Sequence, residues 1–200
     1  TLAHSVARVK AAREGLAENI DIMCDAHGTL SVAEAKRFCR EVAECNIGWL
    51  EEPVVADDKR GMAEVRASSD VPISTGESEF TRFAFRDLAE LRACDIFQPD
   101  LSICGGITEA MRIEAIASAY QLRYAPHLWG GALTFAAGLQ TMVVASTGFI
   151  VEYSLGANPM LHELAVEDFS VVDGHLDVPD RPGLGVTVDE DFVEKYRVKN

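Results

Sequence analysis

Positive charge is scarce in this sequence. It contains 18 Lys and Arg against 32 Asp and Glu, which gives a formal net charge of -14. Nucleic acids and anionic membranes are polyanions that proteins usually bind with clustered Lys and Arg, so neither is an expected partner. A small acidic substrate remains compatible with an acidic chain, because a bound divalent cation can supply positive charge locally.

Cysteine pairs, long apolar runs and a leader segment are missing as well. The cysteines have no C-x-x-C spacing and form an odd set of five: Cys24, Cys39, Cys45, Cys94 and Cys104. This argues against a disulfide framework and a zinc site, and favours reduced thiols in a cytoplasmic protein. No apolar run approaches membrane-spanning length, and no signal peptide is recognisable. The chain starts without Met inside an amphipathic pattern, which we interpret as a fragment of a longer protein.

Short apolar runs alternate with longer segments of helical period along most of the chain. This alternation is typical of a parallel sheet whose strands are joined by crossover helices. Six strands are predicted, at residues 20–24, 47–50, 71–75, 95–98, 122–125 and 149–151. Six helices are predicted, at residues 2–17, 32–45, 58–69, 82–92, 108–120 and 132–146.

The strand spacing, about 25 residues, favours a TIM (β/α) barrel over a doubly wound sheet. A complete barrel has eight strands and about 250 residues. We therefore expect a partial α/β barrel with about six of the eight βα units, in which residues 1–157 form strands three to eight and the first two strands are absent. Residues 158–200 carry Gly and Pro punctuation and are expected to form a tail that packs on the barrel.

Acidic residues close the first three predicted strands at equal intervals. Asp25 and Glu51 are 26 positions apart (51 − 25 = 26), and so are Glu51 and Glu77 (77 − 51 = 26). Chemistry in TIM barrels lies at the carboxyl ends of the strands, so the three carboxylates are expected at one height on adjacent strands. Carboxylates in such a group raise one another's pKa unless a cation is present, and their hard oxygens suit Mg²⁺ or Mn²⁺.

Two alternatives apply to this trio. An acidic residue after a strand can merely cap a helix N-terminus, where the helix dipole favours negative charge. Equal spacing makes that explanation weaker for three residues together than for one. Glu51 and Glu52 also compete for one position, because side chains alternate across a strand and only one of the two can point into the barrel.

The later strand ends carry Asp100, His127 and Glu152. A carboxylate bonded to one imidazole nitrogen fixes the tautomer and makes the other nitrogen more basic, so Asp100 and His127 are a candidate general-base pair. His27 follows Asp25 by two residues and is expected on the same side of its strand, which makes it a candidate general acid. The alternatives are a rim histidine without a catalytic role for His127 and an ordinary loop histidine for His27.

Seven motifs, in chain order, span nearly the whole chain: Cys24-Asp25-Ala26-His27, Trp49-Leu50-Glu51-Glu52-Pro53, Thr75-Gly76-Glu77, Gln98-Pro99-Asp100, Gly105-Gly106-Ile107-Thr108, Ala125-Pro126-His127 and Pro182-Gly183-Leu184-Gly185. Together they resemble the barrel domain of the enolase superfamily, in its mandelate racemase/muconate lactonizing enzyme subgroup. The resemblance implies that Asp25, Glu51 and Glu77 bind Mg²⁺, with Glu51 rather than Glu52 as the ligand.

The resemblance also implies roles for the other groups. Asp100 and His127 would form the base pair, and Glu152 would lie near the substrate. A His two residues after the first ligand, here His27, resembles the sugar-acid dehydratases of the galactonate kind, in which it would protonate the departing β-hydroxyl. The implied reaction is Mg²⁺-dependent removal of the proton α to a carboxylate, with enediolate stabilisation, and dehydration of a sugar acid to a 2-keto-3-deoxy acid.

Other activities of the same superfamily stay open. A racemase or epimerase would use the subgroup's Lys-x-Lys motif, which belongs before Asp25 and is absent, and the residues from His127 to Gly130 also resemble lactone cycloisomerases. An N-terminal capping domain, which the tail would contact, is absent too. We expect a homo-oligomer; the non-catalytic alternative is an inactive piece whose open sheet edges associate.

Overall fold

A computed structural model describes residues 1–198 of the chain. Its centre is a five-stranded sheet in which every neighbouring pair is parallel and the spatial order follows the chain order, β1-β2-β3-β4-β5. The strands are β1 (Met23–Asp25), β2 (Trp49–Glu51), β3 (Ile73–Thr75), β4 (Ile96–Phe97) and β5 (Arg123–Tyr124). The predicted α/β class and barrel-like order of βα units are therefore confirmed.

Helices precede and connect these strands. They are α1 (Leu2–Gly15), α2 (Val32–Val42, continued by a 3-10 turn at Ala43–Cys45), α3 (Lys59–Ala67), α4 (Thr81–Glu90), α5 (Gly106–Ala119) and α6 (Ala132–Val144). All six coincide with predicted helices, with ends that differ by a few residues.

The predicted sixth strand, at 149–151, is wrong. The chain there makes only an isolated bridge between Gly148 and Tyr124, supported by a 3.0 Å hydrogen bond from the Tyr124 amide to the Thr147 carbonyl. No other strand within residues 1–198 pairs with this segment. A strand needs a ladder of such bonds, so the apolar run at Phe149 does not form a strand.

A capping box and an apolar stripe together explain why α2 packs where it does. The Ser31 hydroxyl accepts the Glu34 amide at 3.3 Å, and the Glu34 carboxylate accepts the Ser31 amide at 3.0 Å, so two otherwise unpaired amides at the helix start are satisfied. The buried residues recur at helical spacing on one face: Ala35, Phe38, Cys39 and Val42. That face joins the hydrophobic core that also contains Leu50 of β2.

The chain after residue 157 packs against α6. It contains α7 (Pro159–His162), a hairpin of β6 (Val171–Val172) and β7 (His175–Leu176), and α8 (Glu190–Lys195). Phe169 stacks edge-to-face on Phe135 of α6 at 4.8 Å, and its carbonyl accepts the Tyr153 hydroxyl at 2.8 Å. Gln140 of α6 donates to the Pro179 carbonyl at 3.0 Å. These contacts fix the tail on the barrel segment.

All five thiols are free, and four of them are buried. Among residues 1–198, every helix is too short or too polar to span a bilayer.

Candidate metal centre and acid–base site

The sheet register brings the first two carboxylates of the predicted trio to one side. Asp25 and Glu51 are direct register partners on β1 and β2, and Glu51 is in turn paired with Ser74 on β3. Partners in a parallel ladder point to the same face of the sheet. Asp25 and Glu51 thus lie side by side at the carboxyl ends of their strands, with Glu77 three residues beyond Ser74.

A glycine shapes the turn that presents Glu77. Gly76 has φ of 142°, in a region that side chains rarely adopt, and a Cβ there would lie 2.7 Å from Cε1 of Phe85 and 3.0 Å from the backbone of Gln98. The chain can therefore turn tightly against β4 only because residue 76 lacks a side chain. This turn directs Glu77 towards the neighbouring strand ends, where it contacts His27 and His127.

Glu51 is a partly buried carboxylate with negatively charged neighbours. Its pKa is raised to about 7, chiefly by burial and also by the charges of Asp25 and Glu77, while hydrogen bonds from Gln98 and Trp49 act in the opposite direction. The Trp49 indole donates to Glu51 at 3.1 Å. A carboxylate that is both desolvated and surrounded by like charge is stabilised as an anion by a bound cation.

Glu52 adopts a conformation that the strand alternation rule does not cover. β2 ends at Glu51, and Glu52 has φ of 36°, in the left-handed region that costs a residue with a side chain about 1–3 kcal/mol. Because the backbone leaves the extended state there, Glu52 need not point away from Glu51. The alternation argument that only one of these two glutamates can face the site therefore does not apply to them.

Glu52 is buried, with 4% of its surface exposed, and its Oε1 has no hydrogen-bond partner within residues 1–198. Burial, followed by the charges of Glu77, Glu51 and Asp25, raises its pKa to about 7, whereas His27 lowers it. One ligand atom from each of Glu52, Glu77 and His27 lies within 4.8 Å of the others.

Asp100 and His127 meet as the sequence predicted. Nδ1 of His127 lies 2.8 Å from Oδ2 of Asp100, and Nε2 lies 3.4 Å from Oε2 of Glu77. Burial lowers the pKa of His127, but the hydrogen bond to Asp100 and the charges of Glu152, Glu77 and Asp100 outweigh it and raise that pKa to about 9. The imidazole is thus held by one carboxylate while its other nitrogen faces the acidic site.

Ser102 fixes the second oxygen of Asp100. Its amide and its hydroxyl donate to Oδ1 of Asp100 at 2.7 and 2.5 Å. Burial raises the pKa of Asp100, yet the bonds from His127 and Ser102 prevail and hold it below its ordinary value. Sequence reasoning did not single out Ser102. The available signal was the Asp-x-Ser spacing, in which a side-chain carboxylate accepts from the backbone two residues on.

His27 lies at the open side of the site. Its side chain is 75% exposed, its φ is 48°, and its amide donates to Oδ1 of Asp25 at 2.7 Å. Nδ1 lies 3.6 Å from Oε1 of Glu77 and 3.9 Å from Oδ2 of Asp25. His27 thus lies in a turn after β1 and not on the strand whose alternation predicted its side, and this turn places the ring against two of the three predicted ligands.

Glu152 lies behind the base and not among the ligands. Its Oε2 accepts the amide of Leu128, the residue after His127, at 2.7 Å. The carboxylate therefore helps to hold the chain that carries His127.

The donor set is suited to a hard divalent cation. The charges of Asp25, Glu51, Glu52 and Glu77, at or just after the ends of β1 to β3, act on one another. Within residues 1–198, however, the ligand atoms found within 4.8 Å of one another belong to His27, Glu52 and Glu77, so the predicted trio of Asp25, Glu51 and Glu77 does not form such a group. No ion pair within residues 1–198 joins these carboxylates to a Lys or Arg; the basic side chains that contact them are His27 and His127. Oxygen-rich sites without cysteine suit Mg²⁺ or Mn²⁺, so the residues present fit the predicted metal.

Comparison with known proteins gives a consistent result. The family description "Enolase C-terminal domain-like" matches residues 1–192. D-galactonate dehydratase of Xanthomonas oryzae pv. oryzae is 34% identical over 197 residues, which are 96% of this chain and 52% of that protein. D-galactarolactone cycloisomerase of Agrobacterium fabrum is 32% identical over 198 residues, 95% of this chain and 52% of that protein. The chain thus spans about half the length of these curated relatives.

A solved structure shows the same fold. The crystal structure of the 3,6-anhydro-D-galactonate cycloisomerase from Zobellia galactanivorans superimposes with a TM-score of 0.94 at 30% identity. The match covers 99% of this chain and 56% of that one.

Proposed function

The chain belongs to the enolase C-terminal domain-like family, and from this premise we propose that the protein removes the proton α to a carboxylate and dehydrates a sugar acid to a 2-keto-3-deoxy acid. One observation carries the proposal. Two imidazoles flank Glu77, His127 at 3.4 Å from one carboxylate oxygen and His27 at 3.6 Å from the other. A base and an acid beside the same predicted ligand are what elimination of water across two neighbouring carbons requires.

The residues divide the work as follows. Asp100 accepts Nδ1–H of His127, so that Nε2 is free to take the α-proton of the substrate. His27 gives a proton to the β-hydroxyl, which departs as water. The enol that remains becomes the 2-keto acid by tautomerisation, and both histidines return to their starting protonation states by exchange with solvent.

Asp25, Glu51 and Glu77 would hold the divalent cation, Mg²⁺ with Mn²⁺ as a substitute. When bound, the cation supplies positive charge that polarises the substrate carboxylate and so makes the α-proton more acidic. The acidic side chains alone would repel a carboxylate substrate, because no Lys or Arg within residues 1–198 is paired with them.

We further propose that the substrate is a small sugar acid and that the protein is a homo-oligomer with a cytoplasmic location. Residues 1–157 would form the barrel segment, and residues 158–200 a tail that contacts a capping domain. Neither nucleic acid nor a membrane is an expected partner, because the net charge is -14.

The test is to incubate the full-length protein with Mg²⁺ and a panel of aldonic and aldaric acids in D₂O. A semicarbazide-reactive 2-keto product is expected, together with exchange of the α-proton detected by NMR. His127→Asn should abolish both. His27→Asn should abolish product while α-proton exchange continues. His4→Asn, in exposed α1, is the matched control and should change neither. Epimer formation without a keto product would refute dehydration.

A lactone cycloisomerase is the second candidate, because one of the similar proteins is named D-galactarolactone cycloisomerase. It would consume a sugar lactone and give an isomer of equal mass. Lactones and open-chain acids are therefore supplied in separate reactions. Only a dehydratase gives a product that is lighter than its own substrate by one water.

A further inference from the structure

Glu52 has features that the proposed function leaves unexplained. The sequence rule places the residue before a proline in extended backbone, and Glu52 precedes Pro53, yet its φ is 36°. The side chain is also withdrawn from solvent, with only 4% of the residue exposed. A strained and buried carboxylate is retained only where surrounding interactions compensate for it.

The backbone of Glu52 is held in place, because its amide donates to the Ser74 carbonyl at 3.0 Å and its carbonyl accepts the Gly28 amide at 2.8 Å, but its side chain has no comparable partner in the described part of the chain. Oε1 of Glu52 has no hydrogen-bond partner within residues 1–198, and no Lys or Arg forms an ion pair with this residue. By contrast, Glu79 is also buried and is paired with Lys59, and Glu114 is buried and accepts from Ser146 and Thr147. Glu52 is therefore an exception among the buried glutamates.

The unpartnered oxygen lies within a group of possible ligands. Glu52, Glu77 and His27 each offer an atom within 4.8 Å of the other two. A divalent cation that is bound by Glu77 is consequently within reach of Glu52, and carboxylates bind such cations through one oxygen or two.

We propose that Glu52 is an additional ligand of the divalent cation, next to Glu77, so that both glutamates of the Glu-Glu-Pro sequence serve the metal centre. This inference rests on the proposed function, because it requires a cation at the carboxylate trio. It also explains the left-handed conformation of Glu52, because that conformation allows the consecutive side chains of Glu51 and Glu52 to reach one site.

The experiment measures the Kd for Mn²⁺ by EPR of the free ion, with the purified full-length protein and without substrate. Glu52→Gln keeps the size of the side chain and removes its charge, and should weaken Mn²⁺ binding at least about tenfold. Glu52→Asp keeps the charge but withdraws the oxygens by one methylene group, and should also weaken it. Glu114→Gln is the control for loss of a buried charge and should leave the Kd unchanged.

Circular dichroism melts of each metal-free variant establish that it is folded, and the upward shift of Tm on adding Mn²⁺ gives a second readout that should shrink in both Glu52 variants. A wild-type Kd in Glu52→Gln would overturn the inference. The inference would also be overturned if Glu52→Gln weakened Mn²⁺ binding while Glu52→Asp kept the wild-type Kd, because the negative charge of residue 52, without direct ligation, would then explain the weaker binding. If the unchanged protein bound no Mn²⁺, both this inference and the cation requirement would fail. If the unchanged protein bound Mn²⁺ tightly but made no keto acid, only the proposed reaction would fail.

Discussion

Replacing Asp100 by Asn should lower the pKa of His127 in the metal-free protein. Oδ2 of Asp100 lies 2.8 Å from Nδ1 of the ring, and together with neighbouring charges it raises that pKa from 6.5 to about 9. The Asn amide carries no charge and is expected to present its NH₂ to the ring while its oxygen still accepts from Ser102. The pKa should fall by at least about one unit, the lower end for a nearby opposite charge.

The same change predicts how stability depends on pH. The folded pKa of His127 exceeds its unfolded value, so the stabilisation is complete below about 6.5 and is lost as pH rises through about 9. Each pKa unit corresponds to about 1.4 kcal/mol, so a rise of 9 − 6.5 = 2.5 amounts to about 3.5 kcal/mol at most. At least about 1.4 kcal/mol of it should disappear in Asp100→Asn at pH 6.

NMR titration of the imidazole Cε1–H signals, in protein treated with EDTA, measures this pKa directly. The chain has five histidines, and His127→Gln assigns the relevant signal. Urea unfolding at pH 6 and pH 9.5 measures the stability, and the difference between wild type and variant should shrink at the higher pH. Asp173→Asn, on the exposed hairpin turn, removes one charge without touching His127. An unchanged pKa in Asp100→Asn would refute the reasoning.

Three further changes test the supporting structure. Gly76→Ala would place a Cβ 2.7 Å from Phe85 and should lower the free energy of unfolding by about 1–3 kcal/mol in urea titrations; a neutral result would show that the turn can relax. Ser31→Ala removes the α2 cap and should cost about 0.5–2 kcal/mol, largely restored by Asp at that position. The Arg82 amide, more than any other group, lowers the pKa of Glu109 to about 2, so wild-type stability should decline as pH falls from 4.5 through about 2. Glu109→Gln should flatten this decline in thermal melts, and an equally steep loss would argue against the contact.

The positions of the strand ends were predictable because spacing and strand order are linked in a βα repeat. Equal intervals of 26 residues indicated that Asp25, Glu51 and Glu77 follow successive strands, and the parallel register of β1 and β2 bears this out for the first two. The Asp100–His127 contact followed from the same logic. Whether these side chains bind a cation stays a prediction.

Two features escaped the sequence rules for identifiable reasons. The run at 149–151 has strand-like composition, but a strand exists only where a neighbour supplies hydrogen bonds, and composition does not report neighbours. Alternation allows only one of Glu51 and Glu52 to face the barrel, but this rule holds only while the backbone stays extended. The local preference before Pro53 also favours extended backbone, whereas Glu52 has a φ of 36°.

The exposure of His27 bears on how such a protein can change its chemistry in evolution. The ring is 75% exposed and belongs to a turn after β1, outside the packed core. Replacing it removes no buried contact, so a mutation at this position can add or remove a general acid with little loss of folding stability. If His27 is the acid that expels the hydroxyl, the choice between elimination and simple proton exchange depends on a side chain that the architecture does not require. New reactions can then arise on this scaffold by single substitutions at strand-end loops, while the sheet and its acidic cluster are inherited unchanged.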